Sequence, residues 1–239
     1  MPHTFEANQV VITIAGEEHQ AILSSYQTSM GSTPARAEIF LIHQFARSFQ
    51  PSNMEGQQAQ ITVDGQPLMD GFVMSFICRL SDDSVVIRIL DKRWLLNKTW
   101  FGRRHLGDDG LPLVGADIVF NQGGKGNKDF GQSRFVFENG NSSDENCAIV
   151  EAEFWTYGQI LEWVWTHYVD DITIPSIPSV GGLERNAEES NFFGQPIGSV
   201  IDSIFSRTNC NWAIDGNGSP YIFSRESPAA IEVVRIADP

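Results

Sequence analysis

Apolar and polar positions alternate with a period of two along much of the chain from Val10 to Asp91. The alternation is clear at Ala37, Ile39 and Leu41 in RAEIFLIHQF at 36–45. VVITIAGEEHQAIL at 10–23 consists of two apolar runs around a Gly-Glu-Glu turn, as in a two-strand hairpin, and VVIRILD at 85–91 is a further strand candidate. A period of two indicates strands with one buried face. Several such strands at short spacing, with turn residues between them, predict a closed or sandwiched antiparallel sheet.

The segment ITVDGQPLMDGFVMSFICRL at 61–80 contains the most specific turn signal in this region. Asp64 and Gly65 both tolerate positive φ, as the centre of a tight hairpin turn requires. The apolar run that follows predicts a long strand from Phe72 to Leu80. Residues 1–101 are therefore predicted to form one antiparallel β-barrel domain.

Residues 102–150 have a different character, because glycine, asparagine and acidic residues dominate them. Only LPLVGADIVF at 111–120 and SRFVFE at 133–138 are candidate strands. The sequence GGKG at 123–126 resembles a phosphate-binding loop, but Lys125 is followed by glycine where that motif requires serine or threonine. The region is predicted to be a loop-rich insertion or a small β domain, with a mobile loop at this point.

In residues 151–239, the apolar positions recur with a period of 3.6 residues instead of two. YGQILEWVWTHY at 157–168 and PIGSVIDSIFSRT at 196–208 each place their apolar side chains on one helical face. A shift of 40 residues aligns the two segments and sets Ile172 and Ile174 on Trp212 and Ile214. This match indicates either two related helix-strand units or a coincidence between two ordinary amphipathic helices.

Beyond the second helix, the sequence predicts a hairpin and a final strand. The hairpin is DGNGSPYIF at 215–223, and the strand is IEVVRIA at 231–237. The fold class is thus a β-rich α+β chain: a barrel, a loop-rich insertion, and a helix-strand C-terminal region that contributes to a second barrel-like domain.

Composition narrows the classes of function. The chain has 239 residues, of which 41% are hydrophobic, and a formal net charge of -14. This charge repels phosphate backbones and anionic membranes, so we expect no specific nucleic-acid binding. No apolar run approaches the roughly 20 residues of a membrane span, and the N-terminus does not resemble a signal peptide. The three cysteines, Cys78, Cys147 and Cys210, are too scattered for a zinc site or a disulfide framework.

Two acidic motifs are candidates for chemistry, and both have simpler interpretations. Asp215, Asn217, Ser219 and Glu226 match positions of a calcium loop, but Pro220 stands where that loop needs glycine, so a hairpin is favoured. Glu151 and Glu153 have a spacing that glycoside hydrolysis could use. Alternate glutamates on one strand are more typical of a solvated face. We therefore predict no catalytic residue, no metal site and no cofactor.

Five aromatic residues fall within a short stretch, at Trp155, Tyr157, Trp163, Trp165 and Tyr168. One helix face cannot bury all of them. Trp165 and Tyr168 lie on the apolar stripe, whereas Trp155, Tyr157 and Trp163 are candidate interface residues. Core packing is the favoured alternative for the cluster.

The order of these segments resembles a known family, the late control protein D family of baseplate or tail hub proteins in tailed bacteriophages. The segments that carry the resemblance span residues 8–102 and 195–224, and they are patterns of apolar and turn residues. In such proteins, the resemblance implies, two small barrels per subunit assemble as a homotrimer whose ring joins the tail tube to the spike. Residues 103–150 fall outside the resemblance.

The expectation that follows is a non-enzymatic structural hub of a phage tail baseplate. Its implied partners are other copies of itself, tail tube or distal tail proteins, and a spike or fibre protein, with no membrane insertion. The implied location is the virion tail, after assembly in the host bacterial cytoplasm. Two alternatives remain open at this point: a carbohydrate-binding or carbohydrate-cleaving tail protein, and a secretion-system component of the same ancestry.

Overall fold

The computed structural model describes residues 9–41, 54–79, 84–102, 119–124, 126, 128, 135–137, 149–151 and 153–225. These residues form two compact units. The barrel unit contains the described residues of 9–94 together with 213–221. The helical unit contains the described residues of 95–212 together with 222–225.

Six antiparallel strands close into a barrel, which confirms the predicted fold class. The strands are β1 (Val10–Ile14), β2 (Glu17–Gln27), β3 (Arg36–Leu41), β4 (Gln58–Val63), β5 (Gln66–Arg79) and β6 (Ser84–Asp91). Their order around the barrel is β1-β2-β3-β6-β5-β4, and β1 pairs with both β2 and β4. Closure removes the free edges that an open sheet would expose.

The barrel interior is filled by alternate residues of the six strands, as a period of two requires. Ile12, Ile39, Ile61, Val73 and Ile87 are fully buried at the centre of this core. Two turns between strands have positive φ, at Ala15–Gly16 and at Asp64–Gly65. The Asp-Gly turn predicted from the sequence is therefore confirmed.

Two β-bulges interrupt the ladder on either side of β3 and β6. One lies on β2 between Leu23 and Ser25, and the other lies on β5 between Val73 and Ser75. A bulge bends its strand and increases the local twist. These two bulges shape the outer surface of the barrel where β2, β3, β6 and β5 run side by side.

A buried ion pair ties the end of β6 to the loop between β2 and β3. The side chains of Asp91 and Arg93 are 5% and 1% exposed, and Arg93 donates to Asp91 Oδ2 from Nε at 2.9 Å and from Nη2 at 2.6 Å. Arg93 Nη1 donates to the carbonyls of Ser29 and Gly31, and the Ala35 amide donates to Asp91. The described geometry thus gives both buried charges several hydrogen-bond partners.

The turn at 215–219 packs on the outside of β5 within the barrel unit. A Cβ on Gly216 would overlap the carbonyl oxygen of Pro67, and one on Gly218 would lie 2.9 Å from Asp70 Oδ2. Asp70 also accepts from Lys92 Nζ at 2.7 Å and from Gln58 Nε2 at 3.0 Å. Only glycine allows the turn to approach the strand this closely.

The helical unit contains the two predicted helices with the predicted buried faces. A short sheet of β7 (Phe135–Phe137) and β8 (Ile149–Glu151) precedes α1 (Tyr157–Tyr168) and α2 (Ile197–Ser206). Ile160, Leu161, Val164, Trp165 and Tyr168 are buried on α1, and Ile197, Val200, Ile201, Ile204 and Phe205 are buried on α2. The helices pack against each other.

The predicted helix-strand unit is present at α2 but not at α1. The strand β9 (Cys210–Ile214) follows α2 and pairs with β10 (Pro220–Ser224). No strand follows α1 in the described stretch 169–196, where only isolated bridges occur. In place of a strand, the carbonyl of Ile172 accepts a hydrogen bond from Trp165 Nε1 at 2.9 Å.

Several predicted features fall outside the described residues. They are the strand candidates at 111–118 and 231–237, Lys125 of the glycine-rich loop, Cys147, Glu226, and most of the predicted insertion at 102–150. The described residues form one closed barrel and two two-stranded sheets. A second barrel-like domain, the domain boundaries and the mobility of the glycine-rich loop therefore stay predictions.

Candidate functional site

The candidate interface residues belong to an aromatic cluster at the start of α1. A capping box begins the helix: the Thr156 hydroxyl accepts from the Gln159 amide at 3.2 Å, and Gln159 Oε1 accepts from the Thr156 amide at 3.0 Å. This reciprocal pair satisfies amides at the end of the helix and fixes where it starts. The cap thereby sets the directions of Trp155 and Tyr157, which flank Thr156.

Asn121 holds the backbone of Trp155 in place. Its Nδ2 donates to the carbonyls of Trp155 at 2.9 Å and Ala187 at 2.6 Å, and its Oδ1 accepts from the Trp155 amide at 2.9 Å. Asn121 is fully buried and has a φ of 52°. Asparagine tolerates this left-handed conformation better than most residues do. One side chain therefore joins two chain segments that are far apart in sequence.

The rings then pack edge to face around Phe120. Its ring centroid lies 5.3 Å from that of Trp155 and 5.6 Å from that of Trp163, with interplanar angles of 84° and 75°. Phe101 stacks on Tyr168 at 5.0 Å. T-shaped and offset arrangements are those that the aromatic quadrupole favours. The cluster is thus organised as a hydrophobic core.

The three candidate interface residues differ in exposure. Trp155 and Tyr157 are 8% and 5% exposed, so the single chain presents little of either ring. Trp163 is half-buried and stacks on exposed His167, with centroids 4.3 Å apart. The burial of Trp155 and Tyr157 fits the core-packing alternative, and the interface role of all three stays a prediction.

Trp155 has one unusual feature. Its indole Nε1 is buried without a hydrogen-bond partner. An unsatisfied buried donor costs free energy, of the order of 1–3 kcal/mol. The ring is therefore held by packing and by the Asn121 bonds to its backbone.

The structure describes one side chain of the acidic pair. Glu151 ends β8, and its side chain lies outside the described residues. Glu153 is exposed and forms an ion pair with Lys128 Nζ at 3.2 Å. An exposed ion pair of this kind contributes little to stability.

The first residue of the rejected calcium-loop pattern serves the hairpin turn. Asp215 Oδ1 accepts from the amides of Asn217 and Ser219, both at 2.9 Å. This is the local bonding by which aspartate closes a turn. Across the described ranges, no cluster of three His, Cys, Asp or Glu side chains is placed to hold a metal ion. Neither α1 nor α2 has the length and apolar character that crossing a membrane requires, and no other described helix does.

Comparison with solved structures shows where this fold recurs. The 43 kDa tail protein of prophage MuSo2 from Shewanella oneidensis aligns with a TM-score of 0.52 and 11% identity, covering 94% of this chain and 58% of that chain. A tail protein from Neisseria meningitidis MC58 aligns with a TM-score of 0.49 and 10% identity, covering 94% of this chain and 53% of that one.

A third structure is the E. coli c3393 protein, described as a component of the type VI secretion system. It aligns with a TM-score of 0.47 and 13% identity, covering 88% of this chain and 47% of that one. The second and third scores lie below 0.5, so we base the comparison of folds on the Shewanella protein. At 11% identity the likeness extends to the fold only.

The chain spans a little over half the length of the Shewanella protein. No known sequence family matches this chain, and no curated protein matches its sequence.

Proposed function

We propose that this chain is a structural hub or adaptor of a phage tail baseplate, related to the late control protein D family. In this role three copies form a ring that joins the tail tube to a spike or fibre and lets DNA pass. The ring belongs to the virion tail and is assembled in the host bacterial cytoplasm. The proposal includes no catalytic step.

The observation that carries the proposal is the closed barrel in a chain whose fold matches a tail protein along 94% of its length. A small closed barrel has no free strand edges, so it can pack beside its copies without uncontrolled strand pairing. A ring requires each copy to present two different surfaces that fit each other. The resemblance found in the sequence supports the same role independently of the fold.

The charge of the chain supports the passage of DNA. A net charge of -14 on each copy would repel the phosphate backbone of DNA from the ring as a whole. A channel of this kind guides DNA without holding it. We expect no retention on heparin or DNA columns at physiological salt.

Light scattering coupled to size exclusion tests the assembly. We expect a mass three times the 26.6 kDa of one chain, and capture of tail tube or spike proteins from the same tail gene cluster. A strict monomer at every concentration, with no affinity for these partners, would overturn the proposal.

The carbohydrate alternative has less support. Trp155 and Tyr157 are buried, so they offer no flat face to a sugar ring. Glu153 is paired with Lys128. A glycan-binding screen on the wild-type chain tests this alternative, and the absence of any binding would remove it. Loss of glycan cleavage in the Glu151→Gln variant would favour the carbohydrate-cleaving version.

A further inference from the structure

The outer face of β2, β3, β6 and β5, here called the wall, carries two rows of side chains in cross-strand register. The first row is apolar: Ile22 pairs with Phe40, Phe40 with Val86, and Val86 with Ile77. The second row is polar: Ser25 pairs with Glu38, Glu38 with Arg88, and Arg88 with Ser75. Opposed residues on neighbouring strands point to the same side of a sheet.

The apolar row is unusual for the outside of a closed barrel, where polar side chains normally alternate with the inward core. Ile22 is 50% exposed and Ile77 is 44% exposed, while Phe40 is half-buried and Val86 is buried between them. Neighbouring strands lie about 4.8 Å apart, so the two exposed isoleucines mark the ends of a row about 14 Å long. Each is an apolar anchor open to a partner.

A groove of about 500 Å³ lies in the wall beside this row. It sits between the β2 bulge and the β5 bulge, and its charged lining residues are Arg36, Glu38 and Arg88. Arg88 Nε donates to Glu38 Oε2 at 3.0 Å, but the Arg88 side chain is 57% exposed. Such an exposed pair is weak, so Arg88 can take another carboxylate as a partner. The groove has a local surplus of positive charge on a chain with a net charge of -14.

The complementary surface lies at one end of the same barrel. The turn Ala15–Gly16 leads into Glu17 and Glu18, both exposed, and Glu55 is exposed on the neighbouring turn before β4. These three carboxylates are here called the acidic tip. Among the described residues, a Cβ placed on Gly16 would meet nothing within 4 Å, so there is room beside this turn.

We infer that the groove in the wall receives the acidic tip of a second copy of this chain. Arg36 and Arg88 bind the carboxylates of Glu17 and Glu18, and Ile22 and Ile77 flank the bound turn. Bidentate arginine-carboxylate pairing is the strong form of this interaction. The inference rests on the proposed function, because it names the contact by which that ring would close.

Such a contact is heterologous: each copy offers its tip to one neighbour and its wall to the other. Heterologous contacts close into rings when the rotation between copies allows it. The charges favour this arrangement over contact between two identical surfaces, since two tips would repel each other. Salt should weaken the contact, because exposed charges are screened beyond a Debye length of about 8 Å.

Charge reversal tests the contact in the full chain. We expect Arg88→Glu on the wall, or Glu18→Arg on the tip, to weaken association about tenfold or more, since each sets like charges against each other. The matched controls are Arg185→Glu and Glu162→Arg, which make the same charge changes at exposed positions of the helical unit. The readout is sedimentation across a concentration series, with thermal unfolding to check that each variant folds.

Rescue separates this contact from a general effect of charge. The double variant Arg88→Glu/Glu18→Arg restores opposite charges between copies and should regain the wild-type assembly. In an equimolar mixture, each single variant offers a surface that fits the other, so the two should form mixed pairs although neither associates alone; a closed ring of three cannot alternate two variants, so the mixture should not regain the full wild-type assembly. Both outcomes require residues 18 and 88 to meet across two molecules.

The remaining outcomes overturn the inference in distinguishable ways. A wild-type oligomer that none of the variants weakens would remove this contact and leave the proposed ring intact. Variants that dissociate without rescue by the double variant or by mixing would also remove it. A wild-type chain that remains monomeric and binds no tail partner would defeat the inference and the proposed function together.

Discussion

Replacement of Arg93 by methionine should be among the most damaging changes to the barrel unit. Methionine has a similar length, but it removes four side-chain hydrogen bonds: two to Asp91 and one each to the carbonyls of Ser29 and Gly31. Among the described residues, Asp91 then keeps the amides of Ala35 and residue 93 as donors. A buried carboxylate without its cation is the costly half of a broken ion pair.

The expected loss is about 3–5 kcal/mol, which is the cost of removing one partner of a buried ion pair. This is a large fraction of the roughly 5–15 kcal/mol that stabilises a typical domain. The control is Arg88→Met, which breaks an ion pair with Glu38 at a side chain that is 57% exposed. That change should cost about 0–1 kcal/mol.

Hydrogen exchange of the β3 and β6 amides measures the effect in the barrel unit without interference from the helical unit. Urea unfolding gives the same comparison for the whole chain. The double variant Asp91→Asn/Arg93→Met should lose less than the two single variants combined, because it leaves no uncompensated charge. A loss for Arg93→Met no larger than that for Arg88→Met would refute this account of the ion pair.

Three further predictions concern other sites. Gly216→Ala should cost about 2 kcal/mol or more in the barrel unit, because its Cβ would overlap the Pro67 carbonyl. The control Gly65→Ala has no neighbour within 4 Å of the added Cβ and should cost only about 1 kcal/mol, because residue 65 has a positive φ. Equal losses of stability for the two variants in chemical denaturation would contradict this reason. Burial raises the pKa of the Tyr26 phenol above its ordinary value of 10.0. The unfolded chain therefore releases this proton at a lower pH than the folded chain does, so the free energy of unfolding should fall as pH rises above 10.0. In Tyr26→Phe the free energy of unfolding should fall less steeply with pH. The same slope in both proteins would contradict this assignment. Asn121→Ala should cost about 3 kcal/mol, because it removes the hydrogen bonds from Asn121 to the buried backbone groups of residues 155 and 187. The same change should reduce the near-ultraviolet circular dichroism of the aromatic cluster. An unaltered spectrum and stability would show that packing alone holds the cluster.

Local patterns in the chain determine the elements of this fold. The period of two from Val10 to Asp91 predicted the strands of the barrel, and Asp64–Gly65 predicted its tight turn. The 3.6-residue period predicted both buried helix faces. These features depend on residues close in sequence, so side-chain spacing is enough to reveal them.

Long-range contacts decided everything else that matters for the candidate surfaces. The apolar pattern predicted a strand after α1, at Ile172 and Ile174. Ile172 is instead buried in an irregular segment, and its periodicity alone could not reveal this. The role of Asn121 was equally hidden, since its partners lie 34 and 66 residues away. A lone buried asparagine between Phe120 and Gln122 offers no spacing rule that would assign those partners.

The wall shows the same division between sequence and tertiary structure. Sequence determined that Ile22, Phe40, Val86 and Ile77 occupy strands, but each looks like an ordinary apolar strand residue by itself. Only the order and register of four strands, with a bulge on β2 and another on β5, bring them into one row beside Arg36 and Arg88. Register is a property of pairs of strands, and a one-residue slip would turn every one of these side chains to the opposite face.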